Sequence, residues 1–371
     1  MRIRAGSLRD CVDRRRVRGL RGTRADWRSK LMILARGFAV LAVASLMSGG
    51  GQTQELRSVK IGVVNLSTDV AFYIAEKRGY FKAEGLKADF AYFDSGAKMI
   101  VPLGTGALDT GGGATSAGFY NAVDRGIELR IVADKGMSVD GYDYKALVVR
   151  KDLVDSGAFR SLADLKGKKV AVVAQGAADE SVLHQALLKG GLQDADIERV
   201  FIPFSQQLIA LQNKGIDAAI AGEPDITHML RTGVAVRFAG LSQFYPHEAA
   251  YVLYSGKFAQ DKETGVKFLK AYLRAVRDYD RALKDGKIAG PGGEEIVQML
   301  GEMTGVKDLS IFRDAVPPYI DPNGALYMTA LQTDLDYFKQ LGLVKKDVTL
   351  TRVIDRSFAE AAAAQLGPYK K

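Results

Sequence analysis

A chain of 371 residues, 47% of them hydrophobic, has room for about two domains and a core that needs no disulfide. Its formal net charge of +9 would suit a nucleic-acid partner, but residues 1–50 hold 12 Lys and Arg against 3 Asp, and the rest holds 40 basic and 40 acidic residues. The body of the chain is neutral, which excludes a basic nucleic-acid surface.

The first 50 residues read as a secretory leader. Residues 2–30 are Arg-rich, and residues 38–47, FAVLAVASLM, form an apolar run too short to span a bilayer. Small residues, Ser48 and Gly49 to Gly51, follow as a cleavage region. Met32 is an alternative start. The single cysteine, Cys11, falls in this leader, so thiolate catalysis and Cys-ligated metal are not expected in the mature chain.

Residues 59–64 read as a buried strand. Ser67 or Thr68 is expected to cap a helix over residues 69–78, closed by Gly79. A strand over 86–93, a helix over 95–103 and a strand over 107–113 running into Gly111, Gly112 and Gly113 follow. A helix over 115–125 precedes strands over 128–135 and 144–150. This alternation is the mark of an α/β domain.

A second unit repeats the pattern. A strand over 168–174 leads through Gln175, Gly176 and Ala177 into a helix over 180–189. Strand, helix and strand follow over 198–203, 205–213 and 215–221. Pro224 suits a helix start, because its missing N–H needs no partner there. After strands over 234–238 and 247–256, the chain becomes helical over 262–284, 293–304, 324–341 and 355–365.

The run FYIAEKRGYFKAEGL, residues 72–86, resembles the opening of periplasmic binding proteins of sulfonate, taurine, nitrate and thiamine-precursor ABC importers. ALDTGGGATS, GKKVAVVAQGAADESVLHQALLKGGL and GIDAAIAGEP are similar to later segments of that family, in the same order. The resemblance implies a type II periplasmic-binding-protein fold. Two α/β lobes would be joined by two crossing strands, near 147–151 and 244–251, with the ligand cleft between them. Lobe 1 would be 59–148 plus 250–371, and lobe 2 would be 152–245. It also implies a periplasmic, monomeric protein that carries a small-molecule solute to an ABC permease in the inner membrane.

Three turns at strand ends are candidate ligand contacts: Ser67, Thr68 and Asp69; Ala114, Thr115 and Ser116; Gln175, Gly176 and Ala177. Small residues allow close approach to backbone, and helix N-termini favour anions such as sulfonate or carboxylate. Ordinary helix caps would look the same. Glu223 could receive a ligand N–H or serve the dipole of its own helix. Lys135 could neutralise an acid. Phe72, Tyr144 and Tyr245 could stack on a planar solute or pack the core.

His184, His228 and His247 have no metal spacing, and no nucleophile or nucleotide motif is present. No catalytic residue, metal or cofactor is therefore expected. Two alternatives stay open. One is a ligand-sensing subunit for a membrane receptor. The other is an enzyme like the thiamine-pyrimidine synthases, whose Cys-rich segment has no match here.

Overall fold

The computed structural model describes residues 55–371. The expected leader, Met32 and Cys11 lie outside the described residues. Strand β1 (Arg57–Val63) leads to helix α1 (Val70–Lys77). Gly79 then takes the left-handed conformation at φ 69° that ends α1. Neither Ser67 nor Thr68 caps α1 with its side chain. Both lie in a short 3₁₀ turn, Ser67–Asp69, where the Ser67 N–H donates to the Glu223 carbonyl and the Thr68 hydroxyl accepts from Lys135.

Strands β2 (Leu86–Tyr92), β3 (Thr110–Gly113) and β4 (Leu129–Ser138) follow, with α2 (Ala117–Asp124) between the last two. Next come β5 (Lys145–Arg150), β6 (Lys169–Val172), α3 (Ala178–Lys189), β7 (Glu198–Phe201) and α4 (Phe204–Gln212). Then β8 (Ala218–Gly222), α5 (Asp225–Arg231), β9 (Ala235–Gly240) and β10 (His247–Ser255) complete the strands that carry the site. The C-terminal helices are α6 (Lys262–Ala282), α7 (Gly293–Thr304), α8 (Met328–Gln340) and α9 (Ser357–Leu366), close to the ranges expected.

The strands form two five-stranded sheets, ordered β2-β1-β3-β10-β4 and β7-β6-β8-β5-β9. The orders correspond position by position. In each sheet the fourth strand is antiparallel to both neighbours, and each is supplied by the chain crossing between lobes. This is the two-lobed arrangement of a periplasmic binding protein.

The first crossing differs from the expectation. Residues 145–150 pair with β8 and β9 in the second sheet, so the chain leaves lobe 1 between Ser138 and Lys145. Strand propensity alone could not say which sheet an apolar strand joins. The return comes before His247, which already pairs in the first sheet.

Helix α6 explains why lobe 1 includes the C-terminal region. Phe268, Tyr272, Val276 and Tyr279 recur at helical spacing, all fully buried. They pack with α1, α9 and one face of the first sheet. On the other face, Leu331, Leu335 and Phe338 of α8 pack with Met99, Leu103 and β10. Lobe 2 buries both faces of its sheet in the same way.

Candidate functional site

The carboxyl ends of β1 and β3 face those of β6 and β8 across the two lobes, the place where open α/β sheets take ligands. A cavity of about 30 Å³ lies there, room for about one or two waters. The lobes meet beside it, where the Ala117 N–H donates to the Gly176 carbonyl at 2.8 Å. Thr68, Ser95, Gly96 and Thr115 line it from lobe 1, and Lys145, Ala177, Asp179 and Phe204 from lobe 2, with Tyr144 at the crossing.

The glycines of β3 shape this cavity. A Cβ on Gly113 would stand 2.6 Å from the Gly96 Cα, and one on Gly112 would stand 2.1 Å from Lys135 Cε. Only glycine at 113 lets the Ser95–Gly96 turn close over the strand end. Only glycine at 112 leaves a channel for the Lys135 stem.

Lys135 does not reach the cavity. It is fully buried, with Nζ 2.8 Å from Asp69 Oδ1, and it donates to Thr68 Oγ1 at 3.0 Å. Asp69 Oδ2 accepts from the Val64 N–H at 3.0 Å. Burial lowers the Lys135 ammonium from its ordinary value, and Asp69 opposes that shift. The expected role of Lys135 as an acid's counter-ion is therefore replaced by another. Its charge is spent on Asp69, and it fixes the Thr68 hydroxyl at the cavity wall.

Several other expected contacts have structural duties. Ser116 caps α2 by accepting from the Phe119 N–H at 3.1 Å. Gln175 is exposed and off the cavity. Gly176, at φ 70°, uses both backbone groups. Its N–H donates to the Glu180 carboxylate, and its carbonyl accepts from the Ala117 N–H of lobe 1 at 2.8 Å. Phe72 packs on Phe268 and Tyr272 in the core. The Tyr245 hydroxyl donates to Asp334 at 3.0 Å. Of the residues singled out from sequence, Thr68, Ala114, Thr115, Tyr144 and Ala177 line the cavity.

Glu223 also lies off the cavity, with its carboxylate fully occupied. It pairs with Arg237 and accepts from the Thr227 N–H at 3.0 Å, the Thr227 hydroxyl at 2.8 Å and the Val316 N–H at 3.3 Å. Its carbonyl accepts from the Ser67 N–H at 3.0 Å. Glu223 thus joins lobe 2 to two segments of lobe 1.

A second contact across the lobes runs through α8. Tyr337 lies over His184, ring centroids 4.7 Å apart, and its hydroxyl accepts from Arg199 at 3.2 Å. Arg199 also pairs with Glu180 at 2.8 Å. Burial raises the Glu180 carboxyl. This chain of contacts ends at Gly176, beside the cavity.

Sequence reasoning missed Lys145, Asp179, Ser95 and Phe204. Lys145 had a signal: a cation opening the apolar strand KALVVR, where lysine is rarely buried unless paired. Asp179 resembled an ordinary helix-start acid.

At the cleft mouth, Tyr92, Asp94, Asp225 and His228 surround a space of about 190 Å³. Burial, more than repulsion from Glu223, pushes the Asp225 carboxyl up to about 6, against the pull of His228. A carboxyl raised in the folded state adds stability below its ordinary value and loses it as pH rises through about 6. Asp225→Asn should therefore be more stable than the parent above that pH, by about 1 kcal/mol at neutrality after allowing for partial exposure. The advantage should vanish near pH 4 in thermal unfolding followed across the range.

The sequence profile of the NMT1-like family matches residues 52–289. The chain belongs to the NMT1-like family. This NMT1-like chain is 29% identical over 213 residues to a Brucella abortus protein described as a binding protein, covering 56% of this chain and 62% of the relative. The chain thus spans 62% of the length of the curated relatives it matches first. An Escherichia coli protein described as an aliphatic sulfonates-binding protein is 26% identical over 72% of this chain and 79% of its own.

Among solved structures, the alkanesulfonate-binding protein of Xanthomonas axonopodis pv. citri, bound to MOPS, shares the fold. It has a TM-score of 0.65 and 19% identity, over 82% of this chain and 99% of that one. A desulfurization enzyme also shares it, with a TM-score of 0.55 and 15% identity, over 84% of this chain and the whole of the other. The NMT1-like fold therefore does not by itself separate binding from catalysis.

Proposed function

We propose that this protein is an extracytoplasmic solute-binding protein that carries a small organic acid, of sulfonate or carboxylate type, to an ABC importer in the inner membrane. The observation that carries this reading is the cavity between the lobes, lined by the hydroxyls of Thr68, Ser95 and Thr115 from lobe 1 and by Lys145 and Asp179 from lobe 2. A solute that touches both lobes favours the closed form by its differential contacts. The relatives described as binding proteins support it. So does the pairing of the buried Lys135 and Lys145 with carboxylates, which leaves neither lysine as a free nucleophile or base.

On this reading residues 1–50 serve as a leader and the mature chain works in the periplasm. Among the described residues no helix is long and apolar enough to cross a membrane.

Protein isolated from the periplasm of its own cell should begin near residues 50–54 and release a small organic acid in native mass spectrometry. Returned at 100 times its dissociation constant, that acid should stabilise the fold by about 2.7 kcal/mol. An intact leader would overturn the location. Turnover of the acid to a product would overturn the binding role in favour of catalysis.

A further inference from the structure

Two helix-opening N–H groups of lobe 1 are spent on lobe 2. The Ser67 N–H donates to the Glu223 carbonyl at 3.0 Å, and the Ala117 N–H to the Gly176 carbonyl at 2.8 Å. A first-turn N–H has no acceptor inside its own helix, so each depends on the other lobe for its partner. Next to the second bond, Ser116 and Ala177 pair as an antiparallel bridge. Gly176 takes φ 70° there, and a Cβ on it would stand 3.3 Å from the Ala117 Cβ. An apolar seam accompanies these bonds. Leu66 of lobe 1 is buried with Val173, Ala177 and Phe204 of lobe 2. Val64 and Phe204 line both the inner cavity and the space at the cleft mouth, so the seam stands between the two.

We propose that the two backbone bonds and the apolar seam latch the lobes shut in the bare protein, and that a solute gains the inner cavity only when the latch opens. The latch belongs to the chain itself and goes beyond the solute-binding reading. Opening it exposes Leu66 and Phe204 to water and parts two donors from two carbonyls. Bonds shielded by apolar side chains are stronger than bonds in water. A solute shifts the equilibrium only by its differential contacts, and here it starts from lobes that already hold each other.

Proline can remove each bond at a position that accepts it. Ala117 is the first residue of α2, and Ser67 opens its 3₁₀ turn, where a missing N–H leaves no intrahelical bond unmade. The preceding residues, Ser116 at φ −154° and ψ 161° and Leu66 at φ −93° and ψ 164°, are already extended, as a residue before proline must be. Ala117→Pro and Ser67→Pro therefore break the latch and spare the helices.

The test uses the full chain expressed with its leader, purified from the periplasm, unfolded and refolded to strip any solute, and shown bare by native mass spectrometry. Spin labels go on Lys87→Cys in lobe 1 and Asn213→Cys in lobe 2, both exposed, in a Cys11→Ser background that removes the chain's single cysteine. The bare parent should give one narrow distance, that of the structure. Each proline variant should add a longer distance, with the closed-to-open ratio falling about 10-fold, and about 100-fold in the double variant. Hydrogen exchange on the bare parent reads the same bonds without any substitution. The Ser67 and Ala117 amides should exchange at least about 100-fold more slowly than in an unstructured chain. A bare parent whose main population is open, or amides that exchange freely, overturns the latch. Folded proline variants that stay as closed as the parent overturn the role of the two bonds. Neither result touches the solute-binding reading, which the acid released in the native mass measurement decides.

Discussion

Asp69→Ala destabilises the protein by about 3–5 kcal/mol, the largest effect expected of any single change at the cleft. Asp69 and Lys135 are both fully buried, and their ends lie 2.8 Å apart. Removing the carboxylate leaves an ammonium sealed between Gly112, Phe72 and Thr68. It also leaves the Val64 N–H without its acceptor. Burial already lowers Lys135 from its ordinary value of 10.5, with Asp69 opposing. A base lowered on folding contributes stability above its ordinary value and loses it as pH falls through the folded value. The Asp69→Ala deficit should therefore shrink as pH rises toward that ordinary value. Asp69→Asn combined with Lys135→Met keeps an acceptor for Val64 and removes the stranded charge. It should recover to within about 2 kcal/mol of the parent. Urea denaturation of the three proteins at pH 7 and pH 9.5 reads both effects. A single variant as stable as the parent at pH 7 would mean that Lys135 reaches water.

Glu223→Ala should cost about 2–3 kcal/mol, somewhat less because Arg237 keeps 20% of its side chain exposed. The loss falls on two joints. Within lobe 2 it strands Arg237 and two donors of Thr227. Across the cleft it frees the Val316 N–H. Glu223→Gln keeps the shape and part of the hydrogen bonding, so about half the loss should return. Denaturation without solute is the deciding measurement, because a residue that only touched solute would leave the unliganded protein unchanged. If Glu223→Gln weakens solute binding at full stability, the carboxylate faces the solute and the joint is not its role.

These two residues show how far the sequence could be read. Lys135 and Glu223 each stood out as polar groups at strand ends, and each was a reasonable ligand contact. Their actual partners include Thr68, 67 positions away, and Val316, 93 positions away, and no local pattern encodes such pairings. Thr115 and Ser116 are neighbours with the same chemistry. One lines the cavity and the other caps α2, a choice set by backbone direction at a strand end.

The order of strands and helices, the glycine closing α1, the apolar stripe of α6 and the two-lobed class were determined by the sequence itself. The first three follow from interactions within a few residues or from a periodic apolar face, and the two-lobed class follows from the resemblance of residues 72–86 and the later segments to periplasmic binding proteins. Which lobe owns β5, which lysines are spent on carboxylates and which turns meet the cavity were decided only by the tertiary structure. A buried charge is stable only against a partner brought from elsewhere in the chain. A cleft wall, likewise, exists only once the two sheets face each other.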